Sequence, residues 1–199
     1  MSAGERTVLV VCTANICRSP MGAAFLREHL RARCCPHVTV RSAGTHAQAG
    51  RAAMPESREA VRRIRGSAEG HVSTPLDLVA AGEADLILCA AREHREHILS
   101  WWPGVEPSRV RLFNEAIAAV APVDVDDPYG WDADVFLLAA RVIDRAMALW
   151  AERLARDWPP PGGPPGAPGP GRSPSPAGGN GAGGASGAGG RGAGDASPR

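Results

Sequence analysis

The sequence predicts an α/β fold: a three-layer, doubly wound sheet of four parallel strands in the order 2-1-3-4, flanked by helices. Three observations predict it. Short apolar runs alternate with segments of helical period, which implies parallel βαβ crossovers. The first apolar run passes through a tight loop straight into a helix start, at the carboxyl end of a strand where such sheets bind ligands. The composition then changes at Pro159: the last 41 residues hold 15 of the 24 Gly and 10 of the 18 Pro, and no Val, Leu, Ile, Met or aromatic residue. With nothing to bury, residues 159–199 are expected to form a disordered tail behind a single domain of residues 1–158.

Each element follows from its own pattern. Thr7–Val11 is β-branched and apolar, fit for a buried strand. Pro20 to Arg33 reads as a helix, with Ser19 as N-cap, Pro20 at the first helical position and Met21, Phe25, Leu26 and Leu30 on one face. Val38–Arg41 is a second short strand, and Glu56–Ile64 a helix with Ala60, Val61 and Ile64 on one side. Leu76–Ala81 reads as a short helix, Leu86–Cys89 as strand three, Glu93–Leu99 as a helix and Val110–Leu112 as strand four. Asp124–Gly130 is rich in turn formers. Asp132–Trp158 closes the domain as a long helix, with Val135, Leu138, Val142, Ala146 and Leu149 spaced for one buried stripe.

Composition excludes several classes of function. The net charge is +1, and the tail carries Arg172, Arg191 and Arg199 against Asp195 alone, so the domain is close to neutral. No basic field exists to hold nucleic acid or an anionic membrane, and neither is expected as a partner. No run approaches transmembrane length, and Val8–Val11 is too short for a secretory core. The five cysteines are odd in number and include the adjacent pair Cys34–Cys35, a poor disulfide framework. A reducing, cytoplasmic setting is expected. The absence of lysine beside heavy use of Ala, Arg, Gly and Pro reads as the stamp of a GC-rich, bacterial genome.

The chemistry concentrates in residues 8–20, Val-Leu-Val-Val-Cys-Thr-Ala-Asn-Ile-Cys-Arg-Ser-Pro. A strand ends in a thiol, five residues intervene, and an arginine stands at a helix start. Backbone N–H groups of Thr13, Ala14, Asn15, Ile16, Cys17 and Arg18 then surround one hollow, where unpaired donors and the positive helix end suit a phosphate-like dianion. Cys12 sits where it can attack what is bound, in surroundings that favour a thiolate. Arg18 suits a bidentate grip on phosphoryl oxygens that lysine does not provide. Expelling an alkoxide or phenoxide needs an acid. Asp127, stiffened by Pro128, is the candidate, with Asp124 and Asp126 as competitors.

Three segments, Val-Cys-Thr-Ala-Asn-Ile-Cys-Arg-Ser-Pro-Met, Ser-Ala-Gly-Thr (Ser42–Thr45) and Asp-Asp-Pro-Tyr-Gly, stand in an order and spacing that resemble the low-molecular-weight protein-tyrosine-phosphatase family, over roughly Thr7 to Trp150. The resemblance implies Cys12 as nucleophile, Arg18 as transition-state binder and Asp127 as general acid and then base, with no metal or other cofactor. Asn15, Ser19 and Ser42 match positions that shape the loop and support the thiolate, and Tyr129 stands beside the acid. The implied substrate is a phosphotyrosine-containing protein. Cys17 matches a second cysteine able to trap an oxidised Cys12 as a disulfide; a small packing role beneath the loop reads equally well. Departures are Ala14 where the family commonly has Gly, no aromatic residue in His46–Pro55, Ala90 after Cys89, and Tyr129 as the only tyrosine.

Two rival functions remain. A thioredoxin-coupled arsenate reductase shares the loop but needs relay cysteines, and Cys89 reads as a core residue while Gly82 stands where a partner is needed. A non-catalytic phosphate-binding module would have no use for a nucleophile, arginine and acid together. His29, Cys34, Cys35 and His37 lack a paired zinc-ligand set. His94 and His97, set among Arg92, Glu93, Arg95 and Glu96, read as a solvated helix face, and the five tryptophans as core or rim packing.

Overall fold

The structure is a computed structural model describing residues 4–117 and 124–160. Strand β1 (Arg6–Cys12) pairs in parallel with β2 (Val38–Gly44) on one side and β3 (Leu86–Cys89) on the other, and β3 pairs with β4 (Val110–Leu112). The order β2-β1-β3-β4 is the predicted one. Along β1 the side chains alternate between two cores: Val8, Val10 and Cys12 face one layer, Leu9 and Val11 the other. The first layer holds α1 (Arg18–Ala32), α2 (Pro55–Ile64) and α5 (Ala133–Asp157); the second holds α3 (Leu78–Glu83) and α4 (Arg92–Trp101). The predicted tail falls almost wholly on residues 161–199, outside the described residues.

Helix α1 begins earlier than its sequence suggests. Cys17 is the N-cap and makes no side-chain capping bond. Ser19 therefore lies inside the first turn, and Pro20 is the third helical residue. Pro20 is tolerated there because the first N–H groups of a helix have no intrahelical partner. Ser19 does not cap because its hydroxyl turns inward to the loop, as described below.

The buried stripe of α5 also differs from expectation. Phe136, Ala140, Ile143, Met147, Trp150 and Leu154 are buried, whereas Leu138 is 64% exposed and Val142 is 37% exposed. Of the predicted stripe, Ala146 is fully buried. The real stripe is rotated by about one residue, some 100° of helix. It is set by the larger side chains that fill the space against α1 and the 3₁₀ segment Phe113–Ile117. Trp150 fixes that rotation by donating its indole N–H to the Phe113 carbonyl at 2.9 Å. Asp132 caps α5, accepting from the N–H groups of Asp134 and Val135.

Candidate active site

Strand β2 runs three residues beyond its predicted end, to Gly44, and that extension builds the floor of the site. The register sets Gly44 opposite Cys12. A Cβ on Gly44 would lie 2.5 Å from the Thr13 carbonyl oxygen and 2.8 Å from the Asn15 nitrogen, so only glycine lets the loop settle onto the strand. The next two residues fasten it, with Thr45 N–H donating to the Cys12 carbonyl at 3.0 Å and His46 N–H to the Thr13 carbonyl at 2.8 Å.

The loop from Cys12 to Arg18 turns at Asn15, whose φ is +55°. Asparagine tolerates this left-handed conformation better than other non-glycine residues. Its side chain is used twice: Nδ2 donates to Ser19 Oγ at 2.7 Å, and Oδ1 accepts the Thr74 N–H at 2.8 Å. His71 Nε2 lies 2.7 Å from the Asn15 carbonyl, and burial lowers the His71 imidazole pKa, favouring its neutral form. Ala14 does not take a positive φ. The conformational burden sits on Asn15, so alanine in place of the common glycine costs the loop no left-handed strain.

Cys12 is buried, and its Sγ lies 3.0 Å from Ser19 Oγ. The Ser19 hydroxyl thus meets both the Cys12 thiol and Asn15, which explains why it is absent from the helix cap. Ile16 and Cys17 are buried beneath the loop, the Ile16 carbonyl accepting the Met54 N–H at the start of α2. Burial pushes the Cys17 thiol up to about 12, with Asp127 and Cys12 adding to the shift, so it is a neutral thiol at ordinary pH.

Arg18 is buried and fans its guanidinium across the site. Nη1 donates to the Val125 carbonyl at 3.0 Å, and Nη2 to Thr13 Oγ1 at 3.2 Å and Asp127 Oδ2 at 2.6 Å. Its Nε is buried without a hydrogen-bond partner, a spare donor of the kind an anion oxygen satisfies. The structure separates the three candidate acids. Asp127 meets Arg18 and also accepts the Tyr129 N–H at 3.2 Å, the turn that Pro128 imposes. Asp124 is engaged elsewhere, accepting from the Arg92 N–H and guanidinium. Asp126 is exposed.

Two sequence readings need correction here. Ser42 makes no hydrogen bond to the loop among the described residues. It lines a polar cavity of about 360 Å³ with Arg27 and His71, while Ala43 and Gly44 touch the loop. Ser42 shares the sheet face of Val10 and Cys12, but the contacts to the loop come from the Ala43 carbonyl and the bare Gly44 backbone, which a side-chain motif does not report. His94 is not a solvated residue: it is buried, its Nδ1 accepts the Ala91 N–H at 3.0 Å, and its Nε2 lies 2.9 Å from Thr13 Oγ1. Burial, with Arg18 nearby, lowers its pKa to about 4. Its charged neighbours in sequence hid it. The available signal was its place in the first turn after β3, the strand beside β1.

The other candidates resolve simply. His29 pairs with Asp144 at 2.8 Å and His37 with the Trp158 carbonyl at 2.7 Å, so neither is turned to Cys34 or Cys35. Cys89 is fully buried and burial raises its thiol pKa far. Trp150 is core, whereas Trp101 and Trp131 are exposed.

A family model described as low molecular weight phosphotyrosine protein phosphatase matches residues 7–159. The chain belongs to that family. It is 34% identical over 150 residues to the low molecular weight protein-tyrosine-phosphatase Etp of Escherichia coli, covering 75% of this chain and 95% of the relative. Among solved structures, Vibrio vulnificus Wzb in complex with benzylphosphonate superposes with a TM-score of 0.68 at 32% identity, over 76% of this chain and all of the other. A Cys-to-Ser mutant of the YwlE arginine phosphatase, with its active-site serine phosphorylated, gives 0.70 at 29% identity over 76% and 97% of the two chains. As a phosphatase of this family, the chain spans its relatives almost completely and carries residues 160–199 beyond the matched region.

Proposed function

We propose that this phosphatase hydrolyses aryl phosphate monoesters, with phosphotyrosine on proteins as substrate, through a cysteinyl-phosphate formed on Cys12. The observation that carries the reading is the convergence of three groups: Cys12 on Ser19, Arg18 buried beneath the loop, and Asp127 brought to Arg18 across 109 residues of sequence. The Cys12 thiolate attacks phosphorus, the S–P bond forms and the P–O bond to the phenol breaks. Asp127 supplies the proton to the departing oxygen. Water then attacks phosphorus, Asp127 takes its proton, and the S–P bond breaks to return the thiolate and inorganic phosphate. Loop N–H groups and Arg18 hold the phosphoryl oxygens throughout, in a site preorganised by Asn15 and Gly44. A bound dianion competes with Asp127 for the Arg18 fork, which leaves the Asp127 carboxyl free to turn to the departing oxygen.

The phosphorylated serine in the YwlE mutant supports a covalent route at the position of Cys12. That neighbour is an arginine phosphatase, so phosphoarginine is the substrate to set against phosphotyrosine. The buried, protonated Cys89 gives no support to a disulfide relay for arsenate reduction. A reducing cytoplasm suits five free cysteines, one of them a nucleophile. Among the described residues no helix is long and apolar enough to cross a membrane.

The test is metal-free turnover of an aryl phosphate, followed by phosphotyrosyl and phosphoarginyl peptides. Cys12→Ser abolishes turnover. Asp127→Asn lowers kcat by about 10²–10⁴-fold, most for poor leaving groups, while Asp126→Asn retains it. Activity in the Cys12→Ser protein sinks the mechanism, and a higher kcat/KM for phosphoarginine moves the substrate.

A further inference from the structure

The loop residue after the nucleophile has its hydrogen-bond roles fixed from outside. A threonine hydroxyl has one hydrogen and two lone pairs. Thr13 Oγ1 is 3.2 Å from Arg18 Nη2, which can only donate, and 2.9 Å from His94 Nε2. His94 Nδ1 accepts the Ala91 N–H, so the ring's single proton is on Nε2 and that nitrogen is also a donor. Glu93 Oε1, at 3.2 Å, is the longer of two acceptors for that one Nε2 hydrogen; with it on Thr13 at 2.9 Å, both Thr13 lone pairs are taken and the hydroxyl hydrogen is left to donate. Arg18 Nη2 also binds Asp127 Oδ2, so this hydroxyl stands among the groups proposed to handle the phosphoryl oxygens.

We infer that His94 is a positioning residue for the phosphatase reaction, holding the Thr13 hydroxyl as an obligate donor to the bound phosphoryl group and steadying the Arg18 fork through it. The inference rests on the phosphatase reading above. A neutral imidazole is essential, since a doubly protonated ring cannot accept from Ala91. Buried surroundings and the Arg18 charge maintain it, while Asp127, Asp124 and Glu93 (whose Oε1 lies 3.2 Å from Nε2) pull the other way. Without His94, the Thr13 hydroxyl is free to turn its hydrogen to another acceptor, and Arg18 Nη2 answers to Asp127 alone.

A purely structural role is also open to His94. It is the third residue of α4, and its bond to the Ala91 N–H caps that helix as Glu or Gln commonly does from this position. The two roles separate by substitution. Gln keeps both the cap acceptor and an N–H donor toward Thr13; Glu keeps the cap and loses the donor. His94→Glu and Thr13→Val each lower kcat/KM for an aryl phosphate about tenfold, the scale of one hydrogen bond to a charged centre. Each weakens inorganic phosphate binding by calorimetry to a similar degree. His94→Gln and Thr13→Ser recover most of that loss, and His94→Glu costs little more when Thr13 is already Val. Equal activity and phosphate affinity in the Glu and Gln variants overturns the inference, as does a Thr13→Val protein that matches the parent. Should His94→Glu fail to fold, the Thr13→Val and Thr13→Ser pair decides by the same two readouts. Phosphate affinity is independent of turnover, and the phosphatase reading itself fails only if the parent hydrolyses no aryl phosphate.

Discussion

Asn15 and Gly44 carry the tightest local requirements of the site, and for different reasons. Asn15 must hold a φ of +55° while donating to Ser19 and accepting from Thr74. Gly44 must be absent of side chain, because a Cβ would press on the Thr13 carbonyl at 2.5 Å. Backbone cannot yield as a flexible side chain does, so Gly44→Ala displaces the loop from β2. The expected result is a loss of about 1–3 kcal/mol of stability in urea unfolding, with weaker phosphate binding and a fall in kcat/KM. A Gly44→Ala protein with parental affinity for phosphate would show that the loop does not rest on this strand. The convergence of Cys12, Arg18 and the Asp127 neighbourhood was legible in sequence because the chemistry proposed for them restricts residue type. Sequence did not reveal His94, His71 or Gly44, whose roles arise from who faces them across the sheet.

At the scale of elements, the four strands were readable because buried parallel strands are short, apolar and punctuated. Leu86–Cys89 and Val110–Leu112 match their predicted bounds. Helix α5 shows the limit. Its sequence is apolar over so wide an arc that periodicity admits more than one stripe, and only the neighbours choose. The choice is testable: Ile143→Ala removes a fully buried side chain and is expected to cost about 2–5 kcal/mol, while Leu138→Ala, 64% exposed, leaves the urea midpoint nearly unchanged. Equal effects at the two positions would contradict the observed rotation of the helix. The end of α5 is tied to the sheet's opening, with the Trp158 carbonyl 2.7 Å from His37 Nε2 and the Arg6 guanidinium over the Trp158 ring.

For the whole molecule, the buried titratable groups set a pH window of stability. His94 takes a proton near pH 6.5 when unfolded but only near 4 when folded, so between these values the unfolded chain holds more protons and stability falls as pH drops. His71 shifts in the same direction. Cys17 loses its proton near 9.0 unfolded and about 12 folded, so stability also falls as pH rises above 9.0. Each group contributes a slope of up to about 1.4 kcal/mol per pH unit inside its window. Urea midpoints should form a plateau between pH 6.5 and 9.0 and decline on both sides. His94→Gln should make the acid limb shallower, leaving the share of His71, and Cys17→Ala the alkaline one, leaving the share of Cys89, whose thiol pKa burial also raises. Unchanged limbs in those variants would assign the pH dependence to other groups.

The parallel sheet and its order, the Cys12–Arg18 loop and the kinship with the low-molecular-weight phosphatases are all legible in the unfolded chain. These depend on residue type and local spacing, which a chain carries whether folded or not. Tertiary structure alone decided which of three aspartates meets Arg18, which neighbour in Ser42–Thr45 supports the loop, and that a histidine in a charged helix turns inward to Thr13. Those outcomes depend on strand register and helix rotation. Both are fixed only when the elements pack, because a shift of one residue sends a side chain to the opposite face of a strand or about 100° around a helix.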